Sequence, residues 1–296
     1  MHLYKEFAMR NMIQRVAAIH DISGFGKVSL TVVIPTLSAM GIQVCPLPTA
    51  VLSAHTGFRD FTFFDLTDEM EKIIAHWKSL GIKFDAIYSG FLGSVRQIDI
   101  VASLIDNFRS QNQIVLVDPV MGDDGALYET MGQDMIDNMR RLMIRAHIIT
   151  PNLTELAFLA GERYAKDADL EKIKSWMKKL SRTGPRYVVA TSVPVQETGQ
   201  FSVLGFDSWH CQFWRVKNNY IPVHYSGTGD TFASVLLGCM MKGENFPASI
   251  DTAVQFVSRA IHRSFGFDHG RQEGPAIEAV LNTLQQSALS YSYEKV

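Results

Sequence analysis

Ser226–Leu236 reads SGTGDTFASVL. Gly227 and Gly229 flank Thr228, Asp230 follows, and an apolar run begins at once, so a helix is predicted to start near Thr228 with a first turn almost bare of side chains. The N–H groups at a helix start have no intrahelical partner, and the aligned peptide dipoles add about half a positive charge there. A bare turn of this kind lets amides converge on an oxygen anion. Asp230 then has two readings: a first-turn charge that stabilises the helix by about 0.3–1 kcal/mol, or a reactive carboxylate set beside the anion site.

Outward from that turn, short runs rich in valine and isoleucine alternate with stretches of helical period. Arg15–Ile19, Ile42–Leu47, Ala86–Tyr88, Ile114–Val117, His147–Ile149 and Tyr187–Ala190 read as strands. Asp68–Ser79, Arg96–Ser110, Glu129–Arg145 and Glu171–Ser181 carry apolar residues at threes and fours with charged faces. This rhythm predicts an α/β fold with a central, mostly parallel sheet and helices on both faces. Gln200–Val216 changes to a hairpin pattern with a turn at Asp207–Ser208, and the chain after Asp230 reads as helical nearly to its end. No repeat or linker divides the sequence, so a single domain spanning 1–296 is expected, with residues 1–14 a flexible leader and a small flap around Val44–Phe64 and Phe91–Ser94.

Acidic residues gather where strands should end. Leu116–Gly125 (LVDPVMGDDG) puts Asp118 at the end of a buried strand and Asp123 and Asp124 in the loop after it; Ile148–Leu156 (IITPNLTEL) puts Asn152 and Glu155 at the next strand-to-helix junction. In open parallel sheets ligands bind beyond the carboxyl ends of the strands, so these groups are predicted to face one crevice. Hard oxygen ligands there suit magnesium held partly by a polyphosphate. Asp123 and Asp124 alone would be an ordinary turn pair.

Asp21–Leu30 (DISGFGKVSL) is a second glycine-rich turn. It fails as a P-loop, with Asp21 where a glycine is needed and Val28 where a serine or threonine is needed, and it lacks the third glycine of a dinucleotide fingerprint. Gly24 and Gly26 fit either a tight strand-to-helix turn or a place where a ligand lies against bare backbone.

The chain has 296 residues, is 47% hydrophobic and carries a formal net charge of -2. That balance gives no electrostatic footprint for nucleic acid or an anionic membrane, and a small-molecule partner is expected. Three scattered cysteines, Cys45, Cys211 and Cys239, form no metal spacing and fit a reducing cytoplasm. Charged residues interrupt the N-terminal segment, so no signal sequence or spanning helix is read there. Met131, Met135, Met139 and Met143 recur at every fourth position and are expected to pack or to meet a second subunit; Cys239, in an apolar helix, is expected in the core.

The pieces SGFGK, PTAVLSAHTGF, YSGFLGS, DPVMGDDG, TPNLTEL, ATS and SGTGDTF, in that order, resemble the ribokinase superfamily and more closely its pyridoxal and pyridoxamine kinases. They span about Ala18 to Phe265. The resemblance implies a ribokinase-like three-layer α/β/α fold and ATP-dependent phosphorylation of the hydroxymethyl group of a B6 vitamer: pyridoxal, pyridoxine or pyridoxamine. It implies ATP and Mg2+, with K+ a second candidate cation, and a homodimer. Carried over by position, Asp230 resembles the catalytic base, with Gly227, Thr228 and Gly229 as the anion hole. Asp118 and Glu155 resemble the acids that organise metal and phosphate, supported by Asn152. Thr191 and Ser192 resemble a strand-end pair near the nucleotide, and Asn218 to Val223 a lid segment. Ser23, His55, Thr56 and Tyr88 resemble positions lining the vitamin ring.

The opening HDISGFGK departs from the Ser-His-Val start common among pyridoxal kinases, which leaves Asp21 and Ser23 as alternatives for the vitamin contact. Lys27 stands where an amide is common and reads either as a phosphate contact or as a solvated lysine. A hydroxymethylpyrimidine kinase of thiamine biosynthesis is the nearest alternative function, and a dinucleotide-binding protein or dehydrogenase a remote one.

Overall fold

The structure is a computed structural model and describes residues 13–129, 131–195, 200–217, 225–266, 270–285 and 291–296. Residues 1–12 of the expected leader lie outside them. The chain runs β1 (Arg15–Ser23), α1 (Leu30–Ala39), β2 (Gln43–Leu52), β3 (Phe63–Asp65), α2 (Thr67–Ser79), β4 (Ala86–Ser89), α3 (Val95–Phe108) and β5 (Ile114–Val117). It continues through the short pair β6 (Gly122–Asp123) and β7 (Ala126–Leu127), then α4 (Gln133–Met143), β8 (Ile148–Ile149), α5 (Leu153–Ala160), α6 (Leu170–Ser181) and β9 (Tyr187–Val195). The last part holds β10 (Gln200–Asp207), β11 (Gln212–Lys217), α7 (Thr228–Met241), α8 (Phe246–Ser264), three short 3-10 turns and β12 (Glu294–Lys295).

One ten-stranded sheet forms in the order β12-β11-β10-β9-β8-β5-β4-β1-β2-β3. The six strands from β9 to β2 are parallel to their neighbours, and antiparallel strands extend both edges. Alternation along each strand sorts side chains between two cores. Ala17, Ile19, Ile87, Val115, Val117 and Val188 pack with α2 to α6. Val16, Ala18, Ala86, Tyr88, Leu116 and Val189 pack with α1, α7 and α8. Helices on both faces of a mostly parallel sheet are the layering that the sequence rhythm predicts.

Boundaries follow local chemistry. The Ser94 hydroxyl caps α3 by accepting from Gln97 N–H, and Asp169 and Asn245 cap α6 and α8 in the same way. The expected hairpin is β10–β11, its turn spanning Ser208–Cys211. The four methionines are buried in the core over α4, and Cys239 is buried among α7 side chains. The C-terminal expectation is corrected: helix stops at Ser264, and β12 returns to pair with β11.

Candidate active site

Because β1, β4, β5 and β8 run the same way, their C-terminal ends share one edge of the sheet. Asp118 follows β5 directly, and its N–H donates to the Ser89 carbonyl at the end of β4 (2.8 Å). Its carboxylate accepts from the Thr150 hydroxyl beyond β8 (2.9 Å) and is buried. Burial, then the charge of Asp230, pushes the Asp118 carboxyl up to about 7, against the pull of the Thr150 bond. Asp230, in the first turn of α7, is likewise pushed up to about 7 by burial and by Asp21, while the Ser29 N–H, donating at 2.8 Å, pulls it down. The late helix start and the acidic strand tips therefore share one electrostatic environment.

The two glycine-rich turns touch. Gly227 is left-handed (φ 76°), and a Cβ there would overlap the carbonyl of Lys27. Gly274 (φ 84°) also packs against Lys27 and Ser226. Lys27 N–H donates to the Glu273 carbonyl (2.9 Å) and Ser226 N–H to the Arg271 carbonyl (3.3 Å). Lys27 Nζ lies 3.7 Å from Glu278. Gly229 differs, since among the described residues a Cβ built on it meets no atom within 4 Å outside its own helix turn. Packing therefore explains glycine at 227 but not at 229.

Asn152 and Glu155 form a reciprocal cap on α5. Asn152 Oδ1 accepts from Glu155 N–H (2.9 Å), and Glu155 accepts from the N–H groups of Asn152 (2.8 Å) and Met121 (3.1 Å). Asn152 Nδ2 donates to the Gly122 carbonyl (2.8 Å), tying α5 to the β6–β7 turn. Burial first and then Asp118 raise the Glu155 carboxyl well above its usual range, while the two backbone bonds oppose the shift. Asp123 and Asp124 do form a turn pair, with Asp123 Oδ1 accepting from Asp124 N–H.

The residues expected to line the vitamin ring lie at different depths. Tyr88 is fully buried, its ring edge-on to His20 (centroids 4.4 Å apart). Ser23 is fully buried and donates to Asp21 (3.1 Å), which leaves Asp21 the more exposed of the two. His55 accepts at Nδ1 from Gly57 N–H (3.1 Å) and meets the Gln272 carbonyl with Nε2 (2.5 Å), so it latches two loops together. Thr56 is exposed. Thr191 N–H donates to the Pro151 carbonyl (3.0 Å), and Ser192 is exposed with φ 58°. Asn218 and Val223 lie outside the described residues.

His20 Nδ1 approaches Asp230 to 3.9 Å, but burial lowers the imidazole pKa to about 3, so the ring is neutral and makes no ion pair. Among the described residues neither of its nitrogens has a hydrogen-bond partner.

With this geometry in view, residues 34–276 match the phosphomethylpyrimidine kinase family. The chain belongs to that family. It is 48% identical to a Bacteroides thetaiotaomicron member crystallised with pyridoxal, over 96% of this chain and 100% of that one, with a TM-score of 0.93. Pyridoxal kinase from Lactobacillus plantarum is 29% identical over 92% of this chain and 96% of its own, with a TM-score of 0.84. A hydroxymethylpyrimidine/phosphomethylpyrimidine kinase of Bacillus subtilis is 29% identical over 188 residues, 63% of this chain and 66% of that protein. The chain is thus a kinase of the pyridoxal kinase group within the ribokinase superfamily.

Two features of this family member escape a reading of motifs. Tyr128, beyond the β6–β7 turn, is partly exposed, and its phenol is raised by burial and then by the charges of Glu155, Asp123, Asp118 and Asp230. Arg271–Gly274 clasps both glycine turns and, through Gln272, the His55 loop. The left-handed Gly274 is the one local signal of that clasp.

Proposed function

We propose that the protein transfers the terminal phosphoryl group of ATP to the hydroxymethyl group of a B6 vitamer, with Asp230 as general base. The observation that carries this reading is the shared environment of Asp230 and Asp118 beside a helix start where, among the described residues, nothing packs against Gly229. A carboxyl pushed up to about 7 still lies roughly 9 pK units below an alcohol as weakly acidic as water, near ~15.7, a gap of about 12 kcal/mol. Asp230 therefore orients the hydroxyl and receives its proton late, as the bond to phosphorus forms. Most of the rate enhancement comes from positioning and charge neutralisation.

The amides of Gly227, Thr228 and Gly229 at the α7 N-terminus are suited to the transferring oxygens. The donor set also fits magnesium: Asp118 and Glu155 are hard oxygen ligands whose carboxyls are raised by burial first and then by neighbouring negative charge. Among the described residues no three His, Cys, Asp or Glu side chains converge on one point, so nucleotide oxygens and water would complete the shell. When bound, the cation would neutralise phosphate charge. Potassium is a second candidate beside it.

Pyridoxal in the crystals of the 48% identical Bacteroides protein supports the vitamer reading. The Bacillus relative favours a second reading, hydroxymethylpyrimidine as acceptor. Purified protein incubated with magnesium and ATP should consume ATP with pyridoxal, pyridoxine or pyridoxamine at a kcat/KM at least tenfold above that for hydroxymethylpyrimidine; the reverse order selects the second reading. We also propose a cytoplasmic homodimer, which light scattering of the purified chain tests; no described helix is long and apolar enough to cross a membrane.

A further inference from the structure

Ser29 immediately precedes α1 with φ 52° and ψ -133°, a backbone conformation that glycine adopts readily and residues with a Cβ seldom do. A serine at a helix start ordinarily turns its hydroxyl onto the first-turn amides. Ser29 makes no such bond. Its hydroxyl donates instead to Asp21 Oδ1 (2.5 Å), and its N–H donates to Asp230 Oδ2 (2.8 Å). One buried residue thus bridges a carboxylate on β1 and a carboxylate on α7, 201 residues further along the chain. Among the described residues the Ser29 N–H is the one hydrogen-bond donor to Asp230, because His20 Nδ1 stands 3.9 Å away, beyond hydrogen-bond reach.

The two bonds depend on each other. With a negative φ the N–H of residue 29 would point elsewhere, and the hydroxyl bond to Asp21 is what the side chain offers to hold the left-handed backbone. A loop that only had to begin a helix would need neither the unusual φ nor a hydroxyl facing away from the helix. Strained backbone kept by its surroundings is a pointer to function.

We propose that Ser29 is a positioning residue for phosphoryl transfer: its N–H fixes the carboxylate of Asp230 toward the acceptor hydroxyl, and its hydroxyl, anchored on Asp21, keeps that N–H aimed. The inference rests on Asp230 being the base. Misplacing a reacting group by an ångström costs up to about a hundredfold in rate, so the anchor acts on kcat and leaves ground-state binding nearly alone.

The test is a double-mutant cycle on the full chain with pyridoxal as acceptor and magnesium and ATP saturating. Ser29→Ala removes the hydroxyl and should lower kcat by about 10- to 100-fold, with KM for pyridoxal and ATP within about threefold. Added to Asp230→Asn, it should cost less than about twofold more, because the carboxylate it positions is already gone. A kcat for Ser29→Ala within about twofold of the parent, or a loss that multiplies in full with Asp230→Asn, overturns the proposal while the base assignment stands. Near-normal turnover of Asp230→Asn alone overturns the base assignment, and with it the role of Ser29. If thermal melting shows that Ser29→Ala does not fold, Ser29→Gly, which accepts the backbone without strain and also lacks the hydroxyl, is measured against the same limits.

Discussion

The Cα of Gly227 lies against the carbonyl oxygen of Lys27, so that the glycine turn before α7 and the one after β1 form a single packed unit. Two residues on, a Cβ on Gly229 would meet none of the described residues. The two glycines of one motif are therefore predicted to respond oppositely to a methyl group. Gly227→Ala should destabilise the fold, since it combines a left-handed φ with overlap against backbone that cannot rotate away. Gly229→Ala should melt at or slightly above the parent temperature, because alanine is the better helix former. It should nevertheless lose most ATP-dependent turnover, the methyl standing where phosphoryl oxygens approach the amides. Parallel melting curves and initial rates decide the matter; full activity in a stable Gly229→Ala would remove the anion hole from this turn.

Asp230→Asn keeps an oxygen able to accept from Ser29 N–H and removes one of the crowded charges, so the variant should fold. Turnover should fall on the order of 10² to 10⁴, the range for loss of a general base. Rapid-quench measurement of phosphorylated vitamer separates the chemical step from product release. A rate within a few-fold of the parent would assign the proton to another acceptor.

Much of this arrangement is legible in the sequence because it rests on local chemistry. Asp118 and Asp230 were findable because one follows an apolar strand and the other opens an apolar helix. The depth at which Tyr88 lies is not legible in the sequence, and the reason is the layering itself. In a strand with water on one side, alternation tells inside from outside, but Ala86 and Tyr88 on one face of β4 and Ile87 on the other are all buried. His55 was matched by motif, which gives position along the chain but not the partners Gln272 and Gly57 that occupy its nitrogens. Ser29 is locally only a serine ahead of an apolar helical run. Only contact with Asp230, across most of the chain, reveals where its amide points.

The crowded acids also predict how stability depends on pH. Asp118 and Asp230 are each raised from an ordinary 3.8 to about 7 in the folded chain. Between those values the native state binds more protons than the unfolded state, so stability falls as pH rises. The contribution is whole below about 3.8 and gone above about 7. The ligand-free protein should therefore lose melting temperature between pH 5 and pH 8, and Asp118→Asn should flatten the slope. Magnesium with a nonhydrolysable ATP analogue should raise the melting temperature more at pH 8 than at pH 5, since the cation binds the ionised acids. An equal gain at both values would place the cation elsewhere.

Asn152 separates a structural role from contact with nucleotide. Its Oδ1 caps α5 and its Nδ2 holds the Gly122 carbonyl, so the side chain is already engaged at both ends. Asn152→Ala should cost about 0.5–2 kcal/mol for the cap, with a further loss because the Gly122 carbonyl gives up its donor. Asn152→Asp keeps a capping oxygen but cannot donate to Gly122, and it adds a charge beside Glu155, so it too should melt below the parent. If the residue serves the site through α5 and the β6–β7 turn, both variants lower the melting temperature while KM for ATP stays within about threefold. A tenfold rise in KM for ATP with unchanged melting would instead mean that the amide touches the nucleotide directly, and that its bond to Gly122 gives way when ATP binds.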